Sequence, residues 1–213
     1  MCMSAILTAC STGPVLTAKI HENKEWTIRL QIVPDANAGK GYSHPSDITQ
    51  EQLVGVLEGL YIEDGNLPEF LSKDQTSGKS NRRRVFNNVD AELLGIFLAD
   101  GLSQAKIQEI VTFIKTKDVS SQVEQISSGG VYVDGDELHI VLSNFRVRQM
   151  IWQDLDSYEA PAKLRPMNPI STQPGWFGFD QPQLAREVTA SESDFKGVWS
   201  GVSWHLAVQF KQL

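Results

Sequence analysis

The residues able to do acid–base or metal chemistry are spread thinly along this sequence. The four histidines are His21, His44, His139 and His205. None lies three or four residues from another, and no cysteine stands near one, so metal-ligand spacing is absent. His139 and His205 each fall within a strand pattern, where a structural imidazole is expected rather than a catalytic one. Gly197-Val198-Trp199-Ser200-Gly201 has the wrong spacing for a nucleophile elbow. Gly78-Lys79-Ser80 ends like a phosphate-binding loop, but Lys73 stands where the first glycine belongs and no strand precedes it. Asp134-Gly135-Asp136 lacks the further ligands of a calcium loop and reads as a hairpin turn. Asp154, Asp156 and Glu159 gather at the start of a loop, and a solvated acidic loop is the simpler reading of them. Lys79, Arg82, Arg83 and Arg84 place four cations within six residues of an acidic chain. Guanidinium groups pair with phosphate or carboxylate, so this is a candidate anion or partner patch; the alternative is a solvated loop leading into Val85-Phe86.

The elements that must position these groups follow from periodicity. Trp26, Ile28, Leu30 and Ile32 alternate with polar residues, as do Leu16, Ala18 and Ile20 before them, and the turn at 22–24 joins the two as a hairpin. Thr49 and Gln52 form a capping box ahead of the stripe Leu53, Val56, Leu57 and Leu60, with Ile48 placed to staple onto Leu53. A second helix starts at Asn87, with Asp90 in its first turn and Leu94, Phe97, Leu98 and Leu102 on its buried side. Ile110–Ile114 reads as a buried strand, and 130–142 as a hairpin about Asp134-Gly135. From Asp154 to Pro182 five prolines and two glycines predict a long loop carrying Trp176-Phe177-Gly178-Phe179. Exposed, these aromatics and Trp199 would mark a partner or glycan surface; buried, they would plug the loop onto the sheet. Val202 to Phe210 alternates again as a terminal strand that must be paired. The expected fold is therefore α+β: a mostly antiparallel sheet with two main helices packed on it and a long loop in the C-terminal half.

Composition narrows the classes further. Gly and Pro together are 25 of 213 residues, an ordinary globular background, and the net charge of −7 argues against nucleic acid as a partner. Two cysteines are too few for a stapled miniprotein or a four-cysteine zinc site. No apolar run approaches a membrane span. No cofactor and no metal site is expected, and no fixed-period repeat appears.

One short motif carries an address. Leu7-Thr8-Ala9-Cys10, followed by Ser11-Thr12-Gly13-Pro14, resembles the lipobox of bacterial lipoproteins. The resemblance implies cleavage before Cys10, a lipid on its thiol and acylation of the new amino group, giving the multi-chain anchoring that one acyl chain cannot supply. On this reading residues 1–9 are the truncated remnant of a signal peptide, whose basic start would lie upstream, since no charged residue precedes Lys19. Residues 10–17 are the lipidated cysteine and its tether, and 18–213 a single α+β domain. Ser11, in place of Asp, implies outer-membrane rather than inner-membrane retention. The stretch from Gly129 to Arg146 is also similar to a segment of uncharacterised bacterial lipoproteins, and brings no activity with it. The expected protein is a non-enzymatic binding or structural component of the cell envelope, with the membrane and an envelope protein as partners. A soluble, unlipidated binding domain is the alternative, and a hydrolase a more distant one.

Overall fold

Asp134-Gly135-Asp136-Glu137 organises the centre of the molecule. The computed structural model describes residues 15–32, 41–63, 82–151, 165–172, 174–195 and 203–213. Gly135 takes φ +61° as the first central residue of a two-residue turn, a conformation open to glycine at no steric cost. The strands it joins, β6 (Val123–Asp134) and β7 (Glu137–Met150), form the longest hairpin of a seven-stranded sheet. The other strands of that sheet are β1 (Val15–Glu22), β2 (Trp26–Ile32), β5 (Ile110–Asp118), β9 (Ala185–Glu187) and β10 (Trp204–Val208). The spatial order is β1-β2-β5-β6-β7-β10-β9, and every pair is antiparallel. β1 begins at Val15, inside the segment read from sequence as a tether.

Two breaks in register bend the long hairpin near Ser128. At one of them Gly129 lies so close to β7 that a Cβ would fall 2.0 Å from the Val141 carbonyl oxygen, so no larger residue fits. Beyond the bend Arg146 takes φ +54°, and its guanidinium donates to the Arg84 carbonyl (3.3 Å), linking this sheet to a smaller one.

Both helices lie where the sequence placed them. In α1 (Gln50–Gly59) the Thr49 hydroxyl accepts from the Gln52 amide (3.3 Å) and the Gln52 side chain accepts from the Thr49 amide (3.0 Å). Thr49→Ala removes the reciprocal cap and is expected to lower stability by about 1 kcal/mol, read from urea unfolding. In α2 (Asn88–Gln104) Asn87 caps the Asp90 amide (2.9 Å), and Asp90 receives Lys115 from β5. Leu53 and Leu57 of α1 and Leu94, Leu98 and Leu102 of α2 share the main core with Phe113, Val131, Leu138, Ile140 and Leu142 of the sheet. The architecture is α+β, dominated by an antiparallel sheet with two helices on one face.

The loop expected from Asp154 to Pro182 contains a strand. Trp176–Phe179 (β8) pairs with β3 (Leu60–Glu63), and Arg82–Arg84 (β4) pairs with the other edge of β3. Four-residue strands with a central glycine carry no readable alternation, and only the partner strand satisfies their backbone groups.

The sheet face away from the helices is covered by irregular chain held through buried polar side chains. The Ser128 hydroxyl donates to the Pro166 carbonyl (2.8 Å), and that of Ser143 to the Met167 carbonyl (3.0 Å). The Asn144 amide donates to Ser128 Oγ and to the Asn168 carbonyl (both 2.9 Å), while its oxygen accepts from the Ile170 amide (2.8 Å). All three side chains are fully buried.

Candidate functional site

On that same covered face β6, β7 and β10 bring together groups far apart in sequence. The two-residue turn places Tyr132 directly opposite His139, their rings stacked at 4.6 Å. β10 pairs with β7 so that Ala207 faces His139, and His205 lies two residues further along on the same side. His139 Nδ1 then stands 3.1 Å from His205 Nε2, and Tyr132 Oη 3.4 Å from that nitrogen. His205 Nδ1 meets the Ser193 hydroxyl at 3.0 Å. The resulting chain is Ser193–His205–His139, with Glu137 beyond it at 3.6 Å from His139 Nε2, longer than a hydrogen bond.

His205 is 2% exposed. Burial above all, with the neighbouring His139 and Arg186, pushes its pKa down to about 2. The ring is therefore neutral at physiological pH, donating from one nitrogen and accepting at the other. A second buried imidazole, His44, accepts the Val133 amide at Nε2 (3.0 Å). Burial lowers its pKa too, against the opposing pull of the Glu109 and Lys106 main chain. Both histidines thus act as structural hydrogen-bonding groups.

Charges ring this cluster. Arg186 on β9 donates to both carboxylate oxygens of Glu137 (3.0 and 2.8 Å) and reaches Glu192 at 3.4 Å. That pair holds the Glu137 carboxyl below its ordinary range. Glu192 Oε2 accepts from the amide (3.0 Å) and hydroxyl (2.7 Å) of Thr189, fixing the turn that carries Ser193 and Asp194.

The residues singled out in the sequence fall differently. Cys10, Lys79, Asp154, Asp156, Glu159 and Trp199 lie outside the described residues. Arg82, Arg83 and Arg84 lie together on exposed β4 rather than in a loop. Arg82 pairs with Glu63 (3.1 Å) and covers the Tyr61 ring (4.3 Å); Arg84 pairs with Asp180 (2.7 Å); Arg83 covers the Phe145 ring (5.3 Å). The anions facing Arg82 and Arg84 are thus carboxylates of the chain itself. Among the loop aromatics, Phe179 is buried and Phe177 packs on the core, while Trp176 is 69% exposed. Of the four histidines the structure brings His139 and His205 together. The hairpin was legible from Asp134-Gly135, but the register that sets Tyr132 opposite His139 is seen only in the structure, and no local signal brings in His205 from 66 residues away.

Fold and site together define an antiparallel α+β domain with helices on one face and a buried phenol–imidazole cluster on the other. No family model matches the chain, and neither the curated proteins nor the solved structures contain a match to it. No helix among the described residues is long and apolar enough to cross a membrane, and none of them form a cluster of three or more metal-ligating side chains.

Proposed function

We propose that the chain is a non-enzymatic binding component of the bacterial cell envelope, held at the outer membrane by lipid on Cys10. The observation that carries this reading is Leu7-Thr8-Ala9-Cys10 with the small, uncharged residues that follow it. Its position supports the reading as well: the thiol stands five residues ahead of Val15, the first residue of β1. Binding is favoured over catalysis by the state of the Ser193–His205 contact on the covered face. A general base works best with a pKa near the operating pH, and His205 lies far below it. Ser193, 3% exposed, is also closed to a substrate.

The test is expression in a bacterial host with the native upstream region, followed by intact-mass measurement and labelling with an alkynyl fatty acid. A diacylglycerol increment, label on the protein and recovery in the membrane fraction are expected, and Cys10→Ser abolishes all three. An unmodified mass and recovery in the soluble fraction would overturn the anchor and leave an unlipidated α+β binding domain.

A further inference from the structure

Where the start of β10 meets β8 of the small sheet, the chain surrounds a cavity of about 340 Å3, large enough for a small molecule. Trp176 and Phe177 of β8, Glu187 of β9, and Ser203, Trp204 and His205 line it. Several of the lining groups are already engaged. The two His205 nitrogens meet Ser193 and His139, the Thr189 hydroxyl meets Ser191 (3.0 Å) and Glu192 (2.7 Å), and Trp204 Nε1 donates to the Gly175 carbonyl (3.3 Å). The Phe177 and Trp204 rings are tilted against each other at 6.4 Å and packed on the main core.

Three groups are left. Trp176 is 69% exposed, and its ring meets no other ring or cation among the described residues. The exposed Glu187 carboxylate has neither an ion pair nor a hydrogen bond among them. Ser203 is 6% exposed, yet its hydroxyl has no hydrogen-bond partner there, although buried hydroxyls are normally paired. Trp176 sits on a backbone already fixed, paired with Glu63 of β3 and preceded by the Gly175 that Trp204 holds. These groups discriminate between ligands. A single open indole face gives an apolar platform rather than the several faces that enclose a quaternary ammonium group. An exposed carboxylate gains little from an ion pair in water, but it accepts strong hydrogen bonds from hydroxyl groups. A serine hydroxyl both donates and accepts, so another hydroxyl matches it and an alkyl cation does not. An apolar C–H face edged with hydroxyl groups is the surface of a pyranose ring. Glycoside hydrolysis takes two carboxylates, and Glu187 is the one carboxylate among the described lining residues, so the arrangement suits holding a sugar rather than cleaving it.

We propose that this cavity binds a neutral pyranose, one sugar unit of a glycan, stacked on Trp176 with its hydroxyls bonded to Glu187 and Ser203. The proposal deepens the binding reading above by naming a ligand class and rests on that reading, but not on the lipid anchor. Titration of the full chain with cellotriose, maltotriose and triacetylchitotriose, against choline and glycerol, tests it by calorimetry and tryptophan fluorescence. Saturable binding of at least one trisaccharide is expected, and salt leaves it unchanged because the ligand is neutral. Trp176→Ala should weaken it by about tenfold or more while leaving the Tm in place, since the ring is largely in solvent. Glu187→Gln should weaken it about tenfold, through loss of the charged acceptor. Ser203→Ala is expected to weaken binding without lowering the Tm, whereas a hydroxyl with a structural role would lower the Tm and leave binding alone. No saturable trisaccharide binding to about 10 mM would overturn the proposal. So would comparable binding of choline or glycerol, or a Trp176→Ala variant that binds as the parent does. Chromatography of the bound trisaccharide separates this site from the reading it rests on: an intact sugar agrees with both, and cleavage products would overturn the non-enzymatic reading while the saccharide site stood. None of these outcomes alters the mass of a lipidated Cys10.

Discussion

Acidification from pH 7.5 to pH 5 is expected to remove about 2 kcal/mol of stability through His205 alone. The unfolded chain protonates this imidazole near its ordinary pKa of 6.5, whereas the folded protein resists protonation down to about 2. The unfolded state therefore binds the extra proton, and stability is complete above pH 6.5. It falls by about 1.4 kcal/mol per pH unit below that, until the folded protein also takes up the proton. His44 acts in the same direction, because protonating Nε2 would abolish its acceptance of the Val133 amide. The groups packed around His205 are Tyr132, His139, Ser193 and Arg186 with its partner Glu137, and none supplies a close anion to hold the imidazolium. Glu137 and Glu192 have lowered carboxyl pKa values, so their stabilisation is complete above about pH 4.5 and is lost only in stronger acid. The interval from pH 6.5 to 5 therefore isolates the histidines. Urea unfolding across that interval measures the slope, and His205→Gln should reduce it by about one proton's worth whatever it does to absolute stability. An unchanged slope in that variant would show that His205 is not the group responsible.

Asn144→Ala is expected to destabilise the protein by about 3 kcal/mol, with Ser143→Ala near 1 kcal/mol for comparison. The asparagine makes three hydrogen bonds from a fully buried position, two of them to the main chain at Asn168 and Ile170. Alanine leaves the Asn168 carbonyl and the Ile170 amide without that partner and takes one donor from the Ser128 hydroxyl, whereas Ser143→Ala removes the hydroxyl that donates to the Met167 carbonyl. Chemical denaturation gives the ratio of the two losses. Amide exchange at Ile170 should quicken in the Asn144 variant by far more than at Leu98, deep on the helix side. If the two substitutions were equal in effect, Asn144 would be ordinary packing rather than the point holding this irregular segment to the sheet.

Features readable in advance are those whose physical cause is local. A capping box needs residues three apart, so Thr49 and Gln52 announced α1. A two-residue turn needs a glycine at positive φ, so Asp134-Gly135 announced β6 and β7, while the register that pairs Tyr132 with His139 came from the structure. The alternation in 26–32 predicted β2 because one face of it is core. The alternation at 202–210 predicted a paired strand, but not that His205 and Ala207 on its second face would be buried too. Burial of that face depends on chain contributed by residues 41–46, 165–172 and 189–195, whose irregular conformation leaves no period. The short β3–β8 pairing was hidden for a related reason, since its backbone bonds are made between residues more than a hundred positions apart.

Read alone, the sequence determined an antiparallel α+β domain with two helices, the central hairpin, and a lipobox-like motif around Cys10 that no tertiary contact is needed to recognise. Tertiary structure alone decided the environment of each chemical group. It buried two separate strand histidines against each other and keeps the His205 ring neutral, and it set the Arg82 and Arg84 guanidiniums against Glu63 and Asp180. It also gathered Trp176, Glu187 and Ser203 around one cavity. The physical reason is range. Turns and helix caps are decided within a few residues, whereas desolvation, charge pairing and an unmet hydroxyl depend on what distant segments place beside a group.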